Sequence, residues 1–119
     1  MMTRTGLNQV VSNRERAEIA NRAGADLLIR LHCDSRAAGG TATYYPDRKG
    51  TVDGFTGPSD EIIARSGTLA RVFHPTMVAA MGPGWGNHGV LGDSRTDVGS
   101  RQGALTGSIY SKVSSFKLF

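Results

Sequence analysis

From Ser12 to Ala23 the small apolar residues Ala17, Ile19, Ala20 and Ala23 share one side, while Arg14, Glu18 and Arg22 recur at every fourth position. This is the pattern of a helix with one packed face and i, i+4 charge partners. Ser12-Asn13-Arg14-Glu15 reads as a capping box, with Ser at the N-cap and Glu at the third helical position, and Gly24 follows as the helix-ending C′ residue. The period then changes. Ala25 to His32 is an almost continuous apolar run, which predicts a buried strand with His32 at its C-terminal end.

Gly39-Gly40 breaks the chain, and Thr41 to Tyr45 is β-branched and aromatic enough for a further strand. Pro46 to Pro58, rich in Gly, Pro, Asp and Thr, reads as a surface loop. Ser59 opens a second helix, with Asp60 and Glu61 at the positive end of its dipole and a stripe of Ile62, Ile63, Leu69, Ala70, Val72 and Phe73. Pro75 is expected to kink or break that helix near His74, before the pattern resumes through Met77, Val78 and Met81 to Gly82. Pro83 to Gly107 is Gly-rich and predicts loops around a short strand at Val90-Leu91; beyond it, helix and strand signals are both weak. At the other end, Met1 to Thr5 suits the exit of a strand, followed by the turn-prone Gly6-Leu7-Asn8. A helix, a short turn and an apolar strand in succession point to an α/β sheet with helical crossovers, whose ligands gather at strand C-terminal ends.

Composition narrows the class. The chain has 119 residues, 39% hydrophobic and 20% charged, an ordinary globular balance for one domain. No apolar run approaches the ~20 residues of a membrane span, and the first residues lack the apolar core of a signal peptide. The lone cysteine, Cys33, excludes an internal disulfide and a Cys-rich zinc site. A formal charge of +4 suits an anionic polymer. It is spread along the chain with few aromatics, so the pattern of single-stranded nucleic-acid binding is missing, and a nucleic-acid module rests on charge alone.

The order of motifs is more specific than any one of them. Thr3-Arg4-Thr5, then Arg16 with Ala20-Asn21, then Ala25-Asp26, then Leu28-Ile29-Arg30-Leu31-His32-Cys33-Asp34 resembles the central block of the zinc-dependent N-acetylmuramoyl-L-alanine amidases, the peptidoglycan amidases. Gly39-Gly40 with Tyr44-Tyr45 is similar to that family's next strand, and Ser66 to Ala70 to its Ser-x-x-Leu-Ala helix. The resemblance implies an α/β fold, a mostly parallel sheet flanked by helices, truncated at both ends relative to the family, so that residues 1–119 form a partial catalytic domain. It implies peptidoglycan as partner, action at the cell wall, and hydrolysis of the amide between N-acetylmuramic acid and L-alanine. It also implies zinc, held by two His and a Glu, activating a water while a separate Glu moves the proton.

Carried over position by position, the family gives one metal ligand, His32. The first His and the Glu ligand lie before the Thr-Arg strand. The catalytic Glu follows an entry that Ser111-Lys112-Val113 fits, but Ser114 to Phe119 departs from it and carries no Glu. No catalytic residue is identifiable, and this chain alone is expected to be inactive; the alternative is a peptidoglycan-binding relative that cuts nothing. Asn87 and His88 correspond loosely to a loop beside the substrate groove. Arg4 and Arg16 have two readings, binding an anionic substrate or surface salt bridging. Asp34 is a partner of His32 or a loop cap, with Asn21 in a supporting or structural role. His74 and His88 read as surface or loop packing, Cys33 as a small core residue, and Trp85 as closing the core under the Gly-rich loop. Glu61 is explained by its helix turn. Sheet edges left without neighbours predict a chain marginal as a monomer.

Overall fold

The computed structural model describes residues 1–33 and 39–119. Its first helix, α1 (Asn13–Arg22), starts where the sequence places it. Ser12 Oγ accepts from the Glu15 N–H at 3.1 Å and the Glu15 carboxylate accepts from the Ser12 N–H at 2.7 Å. Arg14 pairs with Glu18 at 2.7 Å. Gly24 leaves the helix at φ +60°, a left-handed conformation that glycine adopts at no steric cost.

Strand β1 (Leu27–Leu31) follows, then β2 (Thr41–Tyr45), the hairpin β3 (Gly50–Val52) and β4 (Phe55–Gly57), helix α2 (Asp60–Met81) and strand β5 (Asn87–Gly92). A 3-10 turn over Asp93–Arg95 leads to α3 (Asp97–Gln102), α4 (Thr106–Ile109) and β6 (Ser114–Leu118). The main sheet has the order β1-β6-β2-β5: β6 runs parallel to β1, β5 parallel to β2, and β6 antiparallel to β2. The sheet is therefore mostly parallel, as expected. Its C-terminal segment is not the featureless stretch the weak signals suggested, because β6 is an interior strand.

Helix α2 covers one face. Its buried positions Ile62, Ser66, Ala70 and His74 recur every fourth residue, and Ser66 and Ala70 are small enough for the helix to lie close on the sheet. Ala70, Phe116 and Leu118 form the core there, with Leu27, Leu69, Phe73 and Met77 packed around them. Ser66 Oγ accepts from the Ser115 N–H at 2.9 Å, a second tie between helix and strand. On the opposite face Arg30 Nη2 reaches Asn13 at the start of α1, and Ala17 and Ala20 of that helix are buried.

Five expectations are corrected. Pro75 does not break α2, which is continuous from Asp60 to Met81. Pro75 is exposed, while Ala70 and His74 hold the buried side. Val72, assigned to the core stripe, is 69% exposed. Residues 46–58 are not loop throughout: Asp53 (φ 51°) and Gly54 (φ 75°) make the tight turn of the β3–β4 hairpin, the Asp-Gly signature of a type I′ connection. Finally, Met1–Thr5 forms no strand, and β1 is an edge with only Leu28 buried.

The segment after β5 is organised by Asp93, 1% exposed. Its Oδ2 accepts from the Leu105 N–H at 3.2 Å and from Ser108 Oγ at 2.8 Å, while its backbone carbonyl accepts from Thr96. Oδ1 has no hydrogen-bond partner among the described residues. Burial raises this carboxyl to about 6, with Asp47 adding to the rise and Ser108, Leu105 and Arg30 opposing it. A folded-state value above the unfolded 3.8 means that the stabilisation is full below pH 3.8 and is lost as pH rises through about 6.

Two outcomes are expected. The melting temperature should fall as pH rises from 4 to 6.5, by an amount equivalent to ~3 kcal/mol or less. In Asp93→Asn, whose amide oxygen can still accept from Leu105 and Ser108, that part of the fall should vanish. Parallel pH profiles for the two proteins would refute the assignment. Ser12→Ala should cost about 1 kcal/mol in chemical denaturation through the lost cap; an unchanged midpoint would show that α1 is held by packing alone.

Candidate functional site at the β1 C-terminal end

The strand directions bring several loops to one end of the sheet. Because β6 parallels β1 and opposes β2, the C-terminal ends of β1 and β6 lie beside the N-terminal ends of β2 and β5. His32, Phe119, Gly39-Gly40 and Trp85 to His88 therefore meet there.

His32 leaves β1 with its backbone still in the ladder, its N–H donating to the Leu118 carbonyl at 2.9 Å. Its side chain is exposed and meets the Phe119 ring edge-on, centroids 5.1 Å apart. Phe119 is fixed in turn by β2: its carbonyl accepts from Thr41 Oγ1 at 2.7 Å and from the Ala42 N–H at 3.3 Å. Backbone bonds on both sides of β6 thus hold His32 and Phe119 side by side.

The Asn87 loop is anchored from below. Asn87 Oδ1 accepts from the Gly89 N–H at 2.9 Å and lies 2.8 Å from His74 Nε2. An amide oxygen only accepts, so Nε2 carries the proton and Nδ1 accepts from Thr43 Oγ1 at 2.9 Å. His74 is 5% exposed. It is a buried peg joining α2, β2 and β5, where surface or loop packing was expected. His88 is exposed and packs over Gly40, whose φ of 155° and missing Cβ make room for the ring. Trp85 lies against Gly39 and is 46% exposed, so it does not close a core.

The other candidates separate. Cys33 is exposed, because β1 ends before it. Arg16, which donates to Thr3 Oγ1 at 2.9 Å, and the exposed Arg4 do line one groove with His32. Asn21 is structural: its amide donates to the Tyr110 carbonyl at 2.9 Å and its oxygen accepts from the Lys112 N–H at 2.8 Å, holding the entry to β6. Glu61 sits 3.9 Å from Arg65 on the helix surface. Asp34 lies outside the described residues. Sequence reasoning missed the His74 peg. The signal was its place in the 62, 66, 70, 74 stripe, which the proline beside it obscured.

A hydrolytic zinc site takes three protein ligands. Among the described residues no three His, Cys, Asp or Glu side chains come together in a way that could hold a metal. The described residues therefore do not fit a complete zinc site, and His32 stands exposed at the C-terminal end of β1.

Comparison with known proteins fits this geometry. The family profile for N-acetylmuramoyl-L-alanine amidase matches residues 1–106. The catalytic domain of CwlV, an N-acetylmuramoyl-L-alanine amidase from Bacillus (Paenibacillus) polymyxa var. colistinus, superposes with TM-score 0.69 at 18% identity, over 99% of this chain and 51% of that one. The N-acetylmuramoyl-L-alanine amidase of Clostridium difficile 630 gives 0.62 at 20% identity, over 91% and 47%. AmiC2 of Nostoc punctiforme, also described as such an amidase, gives 0.61 at 20%, with the same shares. A search of curated protein sequences gave no match. This chain thus spans about half the length of the solved structures it resembles. At these identities the structures speak for the fold, and the profile, across most of the chain, speaks for the family: the chain belongs to the N-acetylmuramoyl-L-alanine amidases.

Proposed function

We propose that residues 1–119 are a partial catalytic domain of a peptidoglycan amidase, acting at the cell wall on the amide between N-acetylmuramic acid and L-alanine. The observation that carries this reading is the family match over residues 1–106 together with His32 at the C-terminal end of β1. In this reading His32 is a ligand position for zinc, which when bound would activate water and polarise the amide. Among the described residues no three side chains come together that could hold a metal, so no step of hydrolysis is assigned to this chain by itself.

What the chain does supply is a surface for substrate. Trp85 presents a half-exposed ring at the His32 end, and Asn87 and His88 border it on a loop that His74 holds from inside. An apolar ring face suits the carbon face of a sugar, and the Asn amide suits a peptide carbonyl or N–H. The formal charge of +4 favours an anionic wall polymer. No helix among the described residues is long and apolar enough to cross a membrane.

A muropeptide carrying the intact muramoyl-L-alanine bond, titrated into labelled protein, should shift the resonances of His32, Trp85, Asn87 and His88, with no amide cleavage detected. Zinc should perturb the His32 imidazole before those of His74 and His88, and should remain substoichiometric after dialysis against a weak chelator. Muropeptide shifts confined to the Asp93 end of the sheet, or none at all, would sink the assignment. Cleavage by the chain alone would show that residues other than those described complete the site.

A further inference from the structure

The side-chain amide of Asn87 has a fixed facing. At Gly89 a φ of 82° turns the chain back, so that the Gly89 N–H donates to Asn87 Oδ1 at 2.9 Å. A backbone N–H only donates, so the atom it meets is the oxygen of that amide and not the nitrogen. The same oxygen lies 2.8 Å from His74 Nε2, which therefore donates to it as well. Two donors from the fold thus occupy both lone pairs of the oxygen. The Nδ2 group, with two N–H bonds to give, belongs to an exposed residue and has no hydrogen-bond partner among the described residues.

The surroundings of that donor are fixed too. Trp85 lies against Gly39, and a Cβ on Gly40 would collide with the His88 ring, so two glycines seat the exposed rings near Asn87 in the chain. Between Pro75 and Gly92 there is no Asp or Glu, so no carboxylate of this segment competes for the donor or repels an anion.

The sheet sets the distance to His32. Asn87 pairs with Thr41, Thr41 and Ala42 donate to the Phe119 carbonyl, and the His32 N–H meets the Leu118 carbonyl. Asn87 and His32 therefore stand in one row across the four strands. Three strand spacings of ~4.8 Å put them ~14 Å apart, which is about four residues of extended peptide.

We propose that Asn87 is a specificity determinant: its Nδ2 group donates to a carbonyl or carboxylate oxygen of the ligand, ~14 Å from the group that meets His32, and His74 is the positioning residue that keeps the amide facing this way. A ligand N–H finds no acceptor in this amide, because its oxygen is already taken. The inference rests on the amidase reading above for the identity of the ligand. Within that reading two sources carry such an oxygen, the peptide beyond L-alanine and the N-acetyl group of a sugar.

Asn87→Asp and Asn87→Ala separate this role from anchoring. Asp keeps an oxygen for the Gly89 N–H and His74 Nε2–H but replaces the outward donor by an acceptor, whereas Ala loses both. The probes are N-acetylmuramoyl tetrapeptide and a peptide-free N-acetylglucosamine tetramer, titrated into the full chain by NMR. At least one of them should move the Asn87 side-chain NH2 signal, and should bind Asn87→Asp at least ~tenfold more weakly, a loss no smaller than in Asn87→Ala. A response to the tetrapeptide alone assigns the oxygen to the peptide, and a response to both or to the sugar alone assigns it to the N-acetyl group. Wild-type affinity in Asn87→Asp reduces Asn87 to an anchor and overturns the proposal, as does an NH2 signal that neither probe moves. Imidazole 15N shifts that show His74 unprotonated at Nε2 overturn its positioning role. Shifts at His32 without Asn87 leave the amidase reading standing and sink this inference; shifts at Asn87 without His32 do the reverse.

Discussion

Strand β6 is where the sheet changes direction, and its hydrogen bonds set the position of nearly everything else. It pairs in parallel with β1 and antiparallel with β2, so one five-residue segment joins two parallel pairs. Phe116 at its centre is 2% exposed and is the core residue that α2 covers. The Leu118 carbonyl receives the His32 N–H, and the Phe119 carbonyl receives Thr41 and Ala42. Losing a buried phenylalanine to alanine costs roughly 3–5 kcal/mol in a packed core. Here it would also loosen both strands that end at His32 and begin at Thr41.

Two side chains guide β6 into place. Asn21, at the end of α1, bonds the Tyr110 carbonyl and the Lys112 N–H, so the first helix grips the chain just before the strand begins. Ser66, from the middle of α2, takes the Ser115 N–H. Both contacts span large sequence separations, and the Ser66 bond satisfies a buried N–H inside the sheet, where no water reaches it. The Ser114 and Ser115 hydroxyls themselves are buried and have no hydrogen-bond partner among the described residues.

The same facts explain which parts of the fold are legible in the sequence. Helix α1 is readable because its determinants are local: the Ser12–Glu15 box, the i, i+4 pair and Gly24 act within the segment they define. The α/β class follows from the change of period between α1 and β1, and His32 is found because an ordered set of motifs leads to it. Strand β6 is not readable, because Ser-Ser-Phe-Lys-Leu acquires its strand character from β1 and β2, some 70 to 90 positions earlier in the chain. His74 fails for another reason. Pro75 signals a helix end, and only the burial of every fourth residue along α2 shows that packing outweighs the ~3 kcal/mol helix penalty of proline. The Asp53-Gly54 turn was legible, and the polar composition around it hid the hairpin.

The candidate site is accordingly fixed from one side and open from the other. From inside, α2 supplies His74, whose proton on Nε2 and lone pair on Nδ1 tie the Asn87 loop to Thr43. One imidazole ring meets both demands at once, with Nε2–H donating to the amide oxygen and Nδ1 bonded to the hydroxyl. From outside, the β1 edge next to His32 keeps its apolar residues in water. A histidine held by the ladder, a loop pegged by a buried histidine and an edge without a neighbour form a constellation whose orientation is settled while its membership is not. That asymmetry follows from the topology: β6 holds His32 from one side only, because β1 is the last strand of the sheet.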